Sequence, residues 1–169
     1  MMDRLIRLLR HCWLDEDDAR RALGPVALER IEQRVRASEA AHSGEIRVCV
    51  EAGLPLGYLW RNVDAHDRAL SLFGKLRVWD TEHNNGVLIY LLLADHRIEI
   101  VADRGLTRHV DAARWQAIVD GMSAAFRERR FEDGLHAAID AVDAVLREHF
   151  PAPPGGGNPN ELPDTPVLR

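Results

Sequence analysis

The sequence predicts an α/β domain built around a β-hairpin over Gly86–Ala102, and three observations carry that prediction. Gly86-Val87-Leu88-Ile89-Tyr90-Leu91-Leu92-Leu93 is an unbroken apolar run of strand length, the pattern of a central strand covered on both faces. Ala94-Asp95-His96 then makes a tight turn, and Arg97–Ala102 returns with alternating character. On either side of the hairpin the apolar residues switch to helical spacing. The 169 residues fit one domain at ~100–200 residues per domain. At 46% hydrophobic, the chain has enough apolar surface for a core without disulfides or metal.

The elements follow in order. Leu5, Leu8, Leu9 and Cys12 share a helical face with Ile6 and Trp13 at its edge, and Arg4, Arg7 and His11 take the other side. This short basic amphipathic helix has three open readings: packing on its own domain, docking on an anionic membrane surface, or binding a partner protein. Asp15–Asp18 directly precedes Ala19–Leu23, where acids cap a helix start and complement its dipole. Pro25 occupies a first-turn position of a helix to about Ala41, with Val26, Ile31 and Val35 on its buried side. Glu45–Glu51 alternates Ile46, Val48 and Val50 with Arg47, Cys49 and Glu51, which predicts a half-buried strand. Gly53–Gly57 is expected as a loop with Trp60 as an anchor, followed by a helix over Asp64–Leu76 carrying Leu70, Phe73 and Leu76. Two helices after the hairpin, Asp111–Phe126 and Asp133–Phe150, are expected to bury stripes through Trp115, Ile118, Val119, Met122 and Phe126, and through Leu135, Ile139, Val142, Leu146 and Phe150. The domain organisation expected is a helical segment over 1–24, an α/β domain over 25–150, and a disordered Pro/Gly-rich tail over 151–169.

Charge and cysteine content restrict the function classes. The net charge of −5 argues against nucleic-acid binding, although positive charge is uneven: Arg4, Arg7, Arg10 and His11 form one cluster, and Arg127, Arg129 and Arg130 another. Cys12 and Cys49 show neither metal-ligand spacing nor a disulfide framework, which reads as a reducing, cytoplasmic setting. No secretory signal is visible, and the longest apolar run is far short of the ~20 residues that span a bilayer. No Walker-type or dinucleotide motif, and hence no organic cofactor, is indicated. Ser43 lacks the context of a nucleophile elbow, Thr81 and Thr107 lack an identifiable base, and Cys49 sits among strand residues as a buried thiol.

One constellation carries chemistry. Asp80, Glu82, Asn84 and Asn85 lead into the first hairpin strand where Asp103 leaves the second, so five hard oxygen donors converge at one end of the hairpin. That set suits Ca²⁺ or Mg²⁺, and a solvated polar loop is the competing reading. His83 beside Glu82 as an acid/base pair, and an anion site at Arg104, Arg108 and His109, are weaker alternatives.

Asn85-Gly86-Val87-Leu88, the strand pair through Arg97-Ile98-Glu99-Ile100, Gly105-Leu106, and Phe131 with Gly134-Leu135 resemble the TPM domain in order and spacing over roughly 27–150. That family includes a thylakoid-lumen protein of photosystem II repair, a modulator of a nematode receptor and many bacterial proteins. The resemblance implies a three-layer sandwich: a central mixed sheet of about four strands, including the 86–102 hairpin, with helices on both faces. It also implies calcium binding in some members and acid phosphatase activity in one, with the site where the Asp/Asn-Gly loop meets the turn after the hairpin. Here Asn85 stands in place of the usual aspartate, and Asp103-Arg104-Gly105 in place of a Gly-Tyr-Gly turn. The function expected is therefore a binding or accessory module, with a divalent cation, acting through a protein partner or at the inner membrane surface through residues 1–14. A metal-assisted phosphatase and a purely structural interaction domain are the alternatives.

Overall fold

The computed structural model describes residues 2–154 and 159–169, with side chains from Ile6 onward. Its elements are α1 (Met2–Cys12), α2 (Glu16–Glu39), β1 (Glu45–Glu51), α3 (Leu56–Trp60), α4 (Ala65–Lys75), β2 (Gly86–Leu92), β3 (Arg97–Ala102), α5 (Arg104–Thr107), α6 (Ala112–Arg127), α7 (Phe131–His149) and β4 (Val167–Leu168). The strands form one mixed sheet in the order β3-β2-β1-β4. β2 and β3 are the antiparallel hairpin, with Leu91 opposite Ile98 and Val87 opposite Ala102. β1 runs parallel to both of its neighbours, β2 and β4.

Strand alternation sorts the core into two layers. Ile46, Val48, Val50, Val87, Ile89 and Leu91 meet α2, α6 and α7 through Ile31, Val35, Phe126, Leu135, Ile139 and Val142. Cys49, Leu88, Tyr90 and Leu92 point the other way, onto Ala65, Ala69 and Leu72 of α4 and Leu59 of α3. The result is the three-layer α/β sandwich expected, with β2 buried along its whole length.

The acidic run does cap α2: the Asp15 side chain accepts from the Asp17 and Asp18 amides, and Asp18 reaches back to the Asp15 amide. Gly24, at φ 73°, breaks the helix directly before Pro25, and Ile31 and Val35 face the core as expected. Val26, Leu70 and Trp60 are instead exposed, and the expected loop ends early, at Pro55, where α3 begins. The buried stripe of α4 runs through Ala65, Arg68, Ala69 and Leu72, one step round the helix from Leu70.

Two expectations need correction. β1 is not half-buried: Glu45, Cys49 and Glu51 are all buried, because β1 is interior to the sheet. The tail from 159 onward is not disordered, and the sheet extends beyond residue 150. Leu162 enters the core, and Ala52 N–H donates to Arg169 O at 2.8 Å while Arg169 N–H donates to Val50 O at 3.0 Å. Arg47 donates to the carbonyls of Pro163 and Thr165, and Leu162 N–H donates to Glu45 Oε2 at 3.0 Å. An uncovered β1 would present a row of unpaired backbone groups, and a few apolar anchors in a Pro-rich segment suffice to satisfy them. Gly155–Gly157 of that segment lie outside the described residues.

Of the readings open for α1, the structure shows the helix packed on its own domain, with its polar face inward. His11 is buried, its Nδ1 accepting from Leu54 N–H at 2.9 Å and its Nε2 bonding Asp95 Oδ1 at 3.0 Å. Arg7 reaches Val63 O and Asp95, and Arg10 reaches Ala94 O. Leu8 packs inward, while Ile6 and Leu9 are each 50% exposed and Trp13 is 82% exposed. Amphipathicity alone assigns the apolar side inward; three hydrogen-bonding side chains against the β2–β3 turn and the loop after β1 reverse it. The side chains of Arg4 and Leu5 lie outside the described residues.

Candidate functional site at the open end of the hairpin

At the mouth of the hairpin the backbone is drawn tight. Asp103 N–H donates to Gly86 O at 2.9 Å, extending the β2–β3 ladder by one step, and Gly105 N–H donates to Asn84 O at 2.9 Å. A Cβ on Gly86 would lie 2.0 Å from Val78 O, and one on Gly105 would lie 2.4 Å from Asn84 O. Both glycines are therefore required for the two loops to close on each other.

Asn85 is fully buried at this junction. Its backbone N–H donates to Thr81 Oγ1 at 3.1 Å, and its Nδ2 donates to Ser43 O at 3.0 Å. A carbonyl only accepts, so the amide nitrogen must face Ser43, which leaves Oδ1 on the other side. Asn85 Oδ1 is buried with no hydrogen-bond partner. Asp103 is buried as well; its Oδ1 accepts from Arg104 N–H at 2.6 Å, and its Oδ2 is buried without a partner. Two oxygen atoms are thus withheld from water and unsatisfied where the strands of one hairpin begin and end. Buried acceptors are normally paired, because desolvating one without compensation costs about 1–3 kcal/mol.

The other three expected ligands are differently placed. Asp80 is exposed and ion-paired with Arg77. Asn84, in the left-handed region at φ 53°, accepts from Arg104 Nε through Oδ1 at 2.7 Å. Glu82 is exposed, and its backbone N–H donates to the Glu161 carboxylate at 3.0 Å. Among the described residues no three His, Cys, Asp or Glu side chains are grouped so that they could hold an ion. Asn85 is an amide and backbone carbonyls are neutral, so an oxygen site that leans on such donors differs from a cluster of that kind.

The alternatives considered for the sequence take definite places too. The Arg104 guanidinium is engaged by Asn84, and its backbone N–H donates to the Asp103 carboxylate. His109 stacks on the His149 ring at 5.3 Å and meets Phe150 edge-on. The Cys49 thiol is pushed up to about 12, first by burial and then by the Glu51 carboxylate, so it is not a nucleophile. Ser38, His42 and Asp143 lie together, but Ser38 Oγ donates to Asp143 Oδ1 at 2.7 Å and also bonds His42 Nε2 at 2.9 Å. Asp143 approaches that same nitrogen, at 3.6 Å, rather than orienting the ring from its far side. Burial holds the His42 imidazole below its ordinary value, so the trio reads as a pin between α2 and α7.

Sequence reasoning missed a buried polar network on the opposite face of the sheet. Arg68 donates to both Glu51 oxygens, at 2.9 and 2.6 Å, and Tyr90 Oη donates to Glu51 Oε2 at 2.7 Å. The Tyr58 ring lies 4.6 Å from the Arg68 guanidinium. Burial, then Glu51, raises the Tyr90 hydroxyl; burial opposes the charge on Arg68, but Glu51 outweighs it and raises that group too. The readable signal was Arg68 itself, a charge on the Ala65-Ala69-Leu72 stripe.

The comparisons agree with this architecture. No curated protein matches the chain. The BA42 protein from the psychrophilic bacterium Bizionia argentinensis, known from an NMR structure, is 29% identical, with a TM-score of 0.74 over 86% of this chain and 94% of that one. The N-terminal domain of a P. gingivalis protein shares the fold, with a TM-score of 0.62 at 24% identity over 75% of this chain and 80% of that one. The family model of the TPM domain matches residues 17–145, from the capped start of α2 to the end of the α7 stripe, and the chain belongs to the TPM domain family.

Proposed function

We propose that this chain is a TPM-domain binding module that takes a hard divalent cation, calcium or magnesium, at the open end of the hairpin and acts through a partner protein. The observation that carries the reading is the pair of buried, unpartnered oxygens, Asn85 Oδ1 and Asp103 Oδ2. An oxygen that can neither reach water nor find a donor is stabilised by a cation, and hard oxygens suit these ions. Asp80, Glu82 and Asn84 of the adjoining loop complete the proposed set only by moving toward the ion, since Asp80 and Asn84 are held by Arg77 and Arg104 and no three acidic side chains are grouped among the described residues. A bound cation would neutralise Asp103 and fix the loop against α5. With Asn85 adding no charge, the affinity expected is weak, of order millimolar.

Binding is favoured over hydrolysis because the nearby hydroxyls are already engaged. Thr81 Oγ1 accepts from the Asn85 amide, and Ser43 accepts from Asn85 Nδ2 through both its carbonyl and its Oγ. Calcium titration followed by amide NMR tests the proposal. Shifts at Asn85, Gly86, Asp103 and Arg104 that saturate, and that vanish in Asp103→Asn, are expected. Flat resonances at millimolar calcium and magnesium would leave the purely structural interaction domain in its place. Turnover of an aryl phosphate that disappears in Asp103→Asn would replace binding with metal-assisted hydrolysis.

A further inference from the structure

The two basic clusters in the sequence, one near its start and one after α6, meet in space. Arg10 of α1 and Arg129 of the α6–α7 turn line one open hollow of about 590 Å³, together with His96 of the β2–β3 turn, Trp13 and Leu93. Among the described residues the Arg129 guanidinium has no hydrogen-bond or ion-pair partner, and Arg10 gives a single bond, to Ala94 O at 3.3 Å. Among the described residues no carboxylate lines the hollow. Of the acids adjacent in sequence, Asp95 is occupied by Arg7 and His11, Glu128 by Arg130, and Asp15 caps α2, while Glu16 and Asp18 are paired with Arg20 and Arg21. The His96 imidazole is held below its ordinary value by burial and then by Arg129 and Arg10, so both guanidinium groups are felt there.

Beside this basic hollow stands the outward face of α1. Ile6, Leu9 and Trp13 recur at helical spacing on that face and are exposed, because the hydrogen bonds of Arg7, Arg10 and His11 hold the polar side inward. The chain as a whole carries a net charge of −5, so a local basic rim around an apolar ridge orients it toward a negatively charged surface. An apolar ridge with a tryptophan beside unpaired arginines matches the interface of an anionic bilayer, where apolar side chains enter the headgroup boundary and cations meet phosphate.

We infer that α1 and the Arg10–His96–Arg129 hollow form a docking surface for an anionic phospholipid membrane, with Ile6, Leu9 and Trp13 entering the bilayer interface and the hollow receiving a headgroup phosphate. The surface lies at the turn end of the hairpin, opposite the Asn85–Asp103 mouth, and does not depend on the cation reading.

The test is flotation of the full chain, in a chelator, with vesicles of phosphatidylcholine alone and of phosphatidylcholine with phosphatidylglycerol in equal parts. Binding to the anionic vesicles only, weakening as salt is raised, is expected. Arg129→Asn should weaken binding roughly fivefold. Asparagine tolerates the left-handed backbone there, at φ 60°, so the variant should fold. Trp13→Ser removes a side chain that is 82% exposed, and should weaken binding roughly tenfold with an unchanged thermal unfolding curve. Absence of flotation, equal binding to both vesicle types, or unchanged binding by both variants overturns the assignment. It also falls if inorganic phosphate shifts the His96 and Arg129 resonances while the vesicles do not, since the hollow would then be a small-anion site.

Discussion

The sheet carries buried polar groups at two places, and they differ in how they are satisfied. On the α4 face, the Glu51 carboxylate receives two bonds from Arg68 and one from Tyr90. At the hairpin mouth, Asn85 and Asp103 each bury an oxygen with no donor. Both carboxylates were dehydrated when the chain folded, but only the first was compensated at both oxygens. A satisfied buried charge fixes an arrangement and leaves no capacity for a ligand; an unsatisfied one is a standing cost that a ligand can remove. On the proposed cation reading, Glu51 is a structural group and Asp103 a binding one.

The largest effect should come from breaking the satisfied set. Arg68→Met strands the Glu51 charge and should cost about 3–5 kcal/mol in urea unfolding. Glu51→Gln with Arg68→Met removes both charges and should recover part of that loss. If the double variant is no more stable than the single, the Glu51 charge is not the source of the penalty.

Next in size is the acid cluster beneath the tail. Glu39 accepts from Ile46 N–H at 2.8 Å, and it is raised to about 9 by burial and then by the charges of Glu45 and Asp164. A carboxyl raised in the folded state takes up a proton on folding, so stability should fall as pH rises from the ordinary carboxylate range toward 9 and level off above it. Glu39→Gln should flatten that slope and gain a few kcal/mol at pH 8, at about 1.4 kcal/mol per pH unit of slope removed. A slope that survives the substitution would place the titrating group elsewhere.

How much of this could be read in the sequence follows from the range of each interaction. The hairpin, the α6 and α7 stripes and the Asp15 cap depend on neighbours in sequence, and periodicity or spacing displays them. β1 misled because its alternation looks like a half-exposed strand until Arg68, from a distant helix, neutralises Glu51. The tail misled for the same reason, since a composition rich in proline and glycine conceals that Leu162, Val167 and Leu168 have an open sheet edge to cover. For α1 the periodicity shows an amphipathic helix but not which side packs, because hydrogen bonds to Leu54, Val63 and Asp95 decide that. At the mouth, the sequence placed Asn85 and Asp103 together, while Asp80 and Asn84 were claimed by Arg77 and Arg104 through rotamers that spacing does not determine.

The smallest stability effect is the most discriminating one. Asp103→Asn keeps an acceptor for the Arg104 amide and removes the charge from an oxygen that has no donor. In a chelator it should leave the urea midpoint unchanged or slightly higher, within about 1 kcal/mol, because no satisfied interaction of the carboxylate is lost. In excess calcium the native protein should gain about 1–3 kcal/mol at concentrations of 10 to 100 times its dissociation constant, and the variant should gain nothing. A loss in chelator as large as that of Arg68→Met would mean that Asp103 is a structural acceptor like Glu51. The two buried sets would then differ only in which of their partners are visible, and the cation reading would lose its support.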